Sequence, residues 1–394
     1  MAGPLTGVRV LDLSRVLAGP YTTMVLADLG AEVVKVEEPG VGDESRRFGP
    51  FQNGVSTYFF SINRGKKGLT LNLKAEAGKR LFLDLVRQAD ILVENYRPGV
   101  MKRLGLDYQT LRAVNPRLVY AACSGFGHTG PYSPRGAYDM IVQGMGGLMS
   151  ITGEPGRPPV RVGTSIGDIA AALFTAVGIL AALGHARATG EGQLVDVAML
   201  DCQVAILENA IMRYFVTGEV PGPLGARHPS IAPFEAFPAK DGHVILAVGT
   251  SIWPRFCEGI GRPDLIEHPH FSTNALRAEH VEELHAILAP ITRQKTAETW
   301  VQEMEAIGVP CGPVNTVDKV VYDPQVRARE MVVEVQDPDA GTISMAGVPI
   351  KLSATPGKVQ GRAPRLGEHT EEVLAQWLHL SPEEVARLRA EKAV

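Results

Sequence analysis

Hydrophobic positions along the chain fall into short runs divided by polar, Gly-rich turns, and their period alternates between strand-like and helix-like. Val8 to Leu13 reads as a strand, Gly19 to Leu29 as a helix and Ala31 to Val36 as a second strand. Such a β-α-β opening predicts a parallel sheet with helices on its faces. The alternation continues with a strand from Leu69 to Leu73, a helix over 76–88, and strands at Asp90 to Glu94 and Leu118 to Ala122. Ile169 to Gly184 is apolar all round, lacks Pro and meets no charge until His185, so it predicts a buried core helix. Asp168 stands where the N-cap of that helix belongs. At 1.5 Å per residue the run reaches only about 24 Å, short of the ~30 Å hydrocarbon core, which argues against a membrane span. A strand from Leu194 to Val197 and a helix from 199 to 214 follow.

The stretch from Gly218 to Pro233 is rich in Pro and Gly and reads as a linker. Beyond it a hairpin from Phe237 to Val248, turning at Lys240-Asp-Gly242, and helices near 252–260, 280–292 and 296–306 make a smaller unit. Strands near 331–335 and 343–346 and polar amphipathic helices complete the chain. Two domains suit 394 residues. The net charge of −4 gives no global basic field for nucleic acid, so an anionic ligand needs local basic clusters. Cys123, Cys202, Cys257 and Cys311 form no CxxC, and Met1 to Gly7 has no secretory pattern. Both point to reduced thiols and a cytoplasmic location. No His, Cys and carboxylate cluster has ligand spacing, so no metal is expected.

Candidate chemistry sits after the strand ends. Ser14-Arg-Val-Leu-Ala-Gly-Pro20 follows the first strand in place of GxGxxG, so a dinucleotide site is not supported. Basic residues recur in these loops, at Arg64, Lys66, Lys67, Lys74, Arg97, Lys102, Arg103 and Arg135. Open α/β sheets bind ligands at this edge, and several cations together suit a polyanion. Gly163-Thr-Ser-Ile-Gly-Asp168 ends in a single carboxylate that is either a plain helix cap or a nucleophile. The helix dipole, worth ~0.3–1 kcal/mol, is expected to keep it ionised.

Several stretches then match one family in order. They are Gly7-Val-Arg-Val-Leu-Asp-Leu13, Ala18-Gly-Pro20, Asp28 to Glu37, Pro39-Gly-Val-Gly-Asp43, Leu71-Asn-Leu-Lys74 and Val93-Glu-Asn-Tyr-Arg-Pro-Gly99. Asn115 to Leu118, Ser124-Gly-Phe-Gly127, Gly167-Asp168, Thr189 to Gln193 and Leu366 to Thr370 complete the set. The chain resembles the class III CoA-transferases, the formyl-CoA transferase family, grouped with carnitine CoA-transferase and alpha-methylacyl-CoA racemase. The resemblance implies a large Rossmann-like α/β domain from 1–220 and 330–394, a smaller α+β domain inserted at 221–329, and an interlocked homodimer. It implies that Asp168 is the catalytic aspartate and that coenzyme A is a thioester substrate, with no tightly bound cofactor. By the same carry-over CoA contacts fall on Leu17, Ala18, Leu71, Asn72, Leu73, Lys74, Asn95, Tyr96, Arg97, Arg103, Arg135, Gly136, Ala137 and Tyr138.

Departures from the family pattern narrow the expectation. Racemases of the family pair the aspartate with a histidine just before the acid that is Asp139 here, and this chain has Tyr138 there. A transferase is therefore expected over a racemase, and over a non-catalytic acyl-CoA-binding protein, which has no use for the acid. The family's glycine lid is absent from Gly225 to Pro233, Leu17 replaces a glutamine, and Glu38 stands in place of a CoA-contacting arginine. Arg227 and His228 are expected to meet the acceptor acid. The expected partners are an acyl-CoA, with succinyl-CoA as donor, and a short dicarboxylic acid, with no nucleic acid and no membrane.

Overall fold

In a computed structural model of the chain, residues 3–394 are described. Six short strands form one parallel sheet: β1 (Arg9–Asp12), β2 (Glu32–Glu37), β3 (Lys67–Thr70), β4 (Ile91–Glu94), β5 (Val119–Ser124) and β6 (Leu194–Ala198). Their spatial order is β3-β2-β1-β4-β5-β6. This is the doubly wound order, in which the chain reverses direction across the sheet between β1 and β4.

Alternation along each strand builds two cores. Leu11, Val34, Leu92 and Tyr120 point to one face, where the helix α2 (Glu76–Gln88) and Trp377 cover them. Val10, Val33, Ile91 and Val119 point to the other, against Leu26 of α1 (Ala18–Asp28) and Ile179 and Leu183 of a long helix described below. Strands buried on both faces need no polar side, which is why they read as nearly continuous apolar runs.

The chain divides into two compact units, one from 1–148, 161–212 and 324–394, the other from 149–160 and 213–323. The segment 149–160, assigned by the sequence to the large domain, clusters with the smaller unit. That unit carries the antiparallel sheet β7 (Phe234–Ala239), β8 (Gly242–Ala247) and β9 (Cys311–Pro313), packed by Phe237, Trp253, Phe271 and Trp300. The remaining strands pair as two hairpins, Phe51–Gln52 with Val55–Ser56, and β10 (Val332–Asp337) with β11 (Gly341–Ala346).

Three expectations change. The helix expected over 199–214 is two, Met199–Ala205 and Ala210–Thr217, separated by Glu208 at φ 55°. The apolar helix runs further than its core, Ile166–Thr189, ending at Gly190 in the left-handed conformation. It is long and apolar enough to cross a membrane by length and composition, so shortness no longer argues against a span. Packing does: Ala170, Ala171, Thr175, Ile179 and Leu183 are buried inside the chain. Nor is the helix buried all round. Leu173, Phe174, Val177 and Leu180 are exposed, Val177 by 64%. They recur at helical spacing and form one bare apolar face.

Candidate active site

The cavity of about 170 Å³ that contains Asp168 opens at the switch point of the sheet. Its walls come from the loop after β1 (Arg15 to Ala18), the loop after β4 (Asn95 to Pro98), the end of β5 (Cys123 to Gly125) and the segment Arg135 to Tyr138. These are separate places in the sequence, and the parallel sheet brings their strand ends to one edge.

Two helices set the acid itself, α3 (Asp139–Met145) and the long helix, α4 (Ile166–Thr189). Asp168 is not the N-cap of α4. Ser165 occupies that position without a side-chain bond, and Asp168 is the third helical residue. The cap comes from elsewhere: the Gly167 N–H donates to Asp139 Oδ1 at 2.8 Å. Gln143 Nε2 donates to both Asp139 oxygens at 2.9 and 2.8 Å, and its Oε1 accepts the Val162 N–H at 2.9 Å. A Cβ on Gly167 would lie 2.9 Å from Asp139 Oδ1, so only glycine lets α4 start this close. Asp139 satisfies the dipole that was expected to keep Asp168 ionised. Burial and then the neighbouring Asp139 charge push the Asp168 carboxyl up to about 7, against the lowering effect of a hydrogen bond from the Ala18 N–H. No lysine or arginine is ion-paired with it among the described residues. Tyr58 shares the field: burial, then Asp168, Asp43 and Asp139, hold its phenol up at about 12.

Most of the expected CoA contacts gather in this region. Leu17, Ala18, Asn95, Tyr96, Arg97, Arg135, Ala137 and Tyr138 line the Asp168 cavity, where Tyr138 is 68% exposed. Gly136 lies beneath Arg97, whose guanidinium would be 2.5 Å from a Cβ placed there. Arg15 stacks on Tyr96 at 4.9 Å. Leu71, Asn72, Leu73 and Lys74 line an adjoining groove of about 480 Å³ that shares Tyr96 and Arg97 with the first cavity. Glu38 is there too, and Lys74 Nζ meets its Oε1 at 2.8 Å. The cation expected to hold an anion is thus already partnered.

Other expectations are not met in this way. Arg103 lines neither cavity and sits over Gly99 on the short helix Val100–Leu104. Arg227 and His228 belong to the smaller unit. There Arg227 is tied to Glu235 and Glu282, and the His228 ring stacks on Phe234 at 5.2 Å. Spacing also missed a convergence of potential metal ligands: His270, His280 and Glu283 come within 4.8 Å of one another. They already contact one another: His270 Nδ1 and His280 Nδ1 lie 2.8 and 3.7 Å from Glu283 Oε2, and the two rings stack at 3.9 Å. The roles of Asp139, Gln143 and Gly167 were not foreseen. The i,i+4 spacing of Asp139 and Gln143 was visible, but what they grip lies 28 and 19 residues away.

Comparison with known proteins now identifies the class. The chain matches CoA-transferase family III over residues 5–370. It is 41% identical to the succinate–glutarate CoA-transferase of Agrobacterium fabrum, covering 95% of each chain. It is 43% identical to the succinyl-CoA:mesaconate CoA-transferase of Haloarcula marismortui, over 94% of this chain and 96% of that one. A crystal structure of a CAIB/BAIF family protein from Brucella suis superimposes with a TM-score of 0.85 at 38% identity, over 96% of this chain and 100% of that one. The protein therefore belongs to CoA-transferase family III and is an enzyme that transfers CoA.

Proposed function

We propose that the enzyme moves CoA from an acyl-CoA, with succinyl-CoA as the donor, to a short dicarboxylic acid, with Asp168 as the nucleophile. The supporting observation is the setting of Asp168: a carboxylate at the floor of a cavity whose walls include Arg97 and Arg135. An Asp168 oxygen attacks the thioester carbonyl, the C–S bond breaks, and an aspartyl-acyl anhydride and CoA thiolate result. The thiolate attacks the Asp168 carboxyl carbon and expels the donor acid, leaving an aspartyl-CoA thioester. The acceptor carboxylate attacks that thioester, re-forming an anhydride and thiolate. The thiolate then takes the acceptor acyl group and frees Asp168. A carboxyl with its proton affinity near 7 is a stronger nucleophile than an ordinary aspartate, at the cost of being partly protonated in neutral solution. The dicarboxylate reading is supported by the names of the relatives, which act on succinate, glutarate and mesaconate.

A racemase needs a second proton-transfer group, and no histidine is among the described cavity residues. The proposal also includes a homodimer. The bare face of α4, with exposed Met140 and Ile141 on α3, supports it, because a contiguous apolar surface in water calls for a partner.

Incubation with succinyl-CoA and hydroxylamine is expected to give a hydroxamate on Asp168, read by peptide mass spectrometry. Asp168→Ala is expected to abolish transfer while CoA still binds. Transfer surviving in that variant overturns the nucleophile. A matrix of acyl-CoA donors against acids tests the substrate pair.

A further inference from the structure

The loop between β1 and α1 is held at nearly every backbone polar group. Ser14 N–H donates to Asp12 Oδ1 at 2.9 Å, and Ser14 C=O accepts from Lys35 Nζ at 2.9 Å. Asn95 takes the Arg15 N–H at 2.8 Å and donates to the Arg15 C=O at 2.7 Å. Val16 N–H points at both Asp43 oxygens, 3.2 and 3.3 Å away. The charged members are fully buried and paired, Lys35 with Asp43 and Lys66 with Asp12, each at 2.9 Å. Lys66 Nζ also donates to Pro20 C=O in α1 at 3.0 Å. Gly19 closes the turn, since a Cβ there would lie 2.1 Å from that of Ser14.

Within this clamp Val16 has φ 67°. A β-branched residue in the left-handed region is strained, and such a conformation lasts only where its surroundings over-determine it. Two residues later comes Ala18, which lines the same cavity as Asp168.

We propose that the buried pairs Asp12–Lys66 and Lys35–Asp43 form a positioning device that holds Val16 in its left-handed conformation and so fixes the backbone from Arg15 to Ala18 as a wall of the Asp168 cavity. The device rests on the reading of Asp168 as the reacting group. It explains why two ion pairs are buried beneath a loop that a few apolar side chains could have supported. Buried ion pairs are a weak source of stability and a good source of fixed geometry. A wall fixed in this way holds a bound thioester in one pose against Asp168.

Val16→Gly tests it, because glycine adopts this φ without strain and folding is not endangered. The expected result is an unchanged or higher melting temperature, kcat lower by ~10–100-fold and KM for acyl-CoA changed far less. Val16→Ala keeps a Cβ and its restricted backbone, and is expected to lose less than Val16→Gly. Equal losses in the two variants assign the effect to side-chain contact and overturn the proposal, as does undiminished kcat in Val16→Gly. Failure to trap an Asp168 hydroxamate from the unaltered enzyme overturns instead the nucleophile on which the device rests.

Discussion

Asp12 and Asp168 lie on either side of the same loop and have opposite surroundings. Asp12 is completely buried, yet Lys66, Lys35 and the Ser14 hydroxyl overcome burial and hold its carboxyl down at about 2. Lys66, pushed down to about 8 by burial and by Lys35 against the pull of Asp12, is still charged at neutral pH. Asp168 is less buried, but no cation offsets its burial, and that burial, joined by the like charge of Asp139, raises it to about 7. The same side chain therefore acts as scaffold where cations surround it and as a candidate reagent where they do not. Burial alone does not decide which; the sign of the nearest charge does.

The comparison can be broken at either end. The largest effect is expected for Asp168→Asn, which should lower transfer by at least ~10³-fold in a coupled acyl-CoA assay. Asp12→Asn should cost ~3–5 kcal/mol of stability in urea unfolding at pH 7, because it leaves Lys66 buried without its partner. The two aspartates should differ in sign as well. Asp12 is lowered, so its contribution is present above pH ~3.8 and is lost as pH falls through about 2. Asp168 is raised, so its contribution is present below pH ~3.8 and is lost as pH rises through about 7. Asp168→Asn should therefore stabilise the protein by ~1–3 kcal/mol at pH 8 and by almost nothing near pH 4.

Asp139→Asn sharpens the contrast. It removes the like charge but keeps an acceptor for the Gly167 N–H. The acid limb of kcat/KM is expected to move down by ~0.5–1 pH unit. The smallest effect is expected at the groove, where Glu38→Gln frees Lys74 and should lower KM for acyl-CoA by ~2–5-fold, more at low salt than at high.

The sheet was legible in the sequence because strands buried on both faces are short apolar runs, and Glu76–Gln88 because its face alternates at helical spacing. Asp168 was legible because a Gly-rich loop runs into a carboxylate and then a long apolar helix. Its protonation was not, since that depends on burial in the folded chain and then on Asp139, which reaches the helix through Gly167. Lys35 and Lys66 were equally opaque. Lys66 read as one of a basic series suited to a polyanion and Lys35 only as part of a strand, and only the folded chain shows each facing an aspartate. The bare face of α4 was unreadable for a different reason. Hydropathy tells that a side chain avoids water, not whether its own chain or another one covers it.

That helix carries the proposed nucleophile at its tip and a greasy flank on one rigid rod. With the proposed pairing, self-recognition and turnover become a single event, because whatever seats the flank also steadies the tip. Specific activity should then fall on dilution, and a detergent that coats Val177 and Leu180 should silence the enzyme without ever entering the cavity.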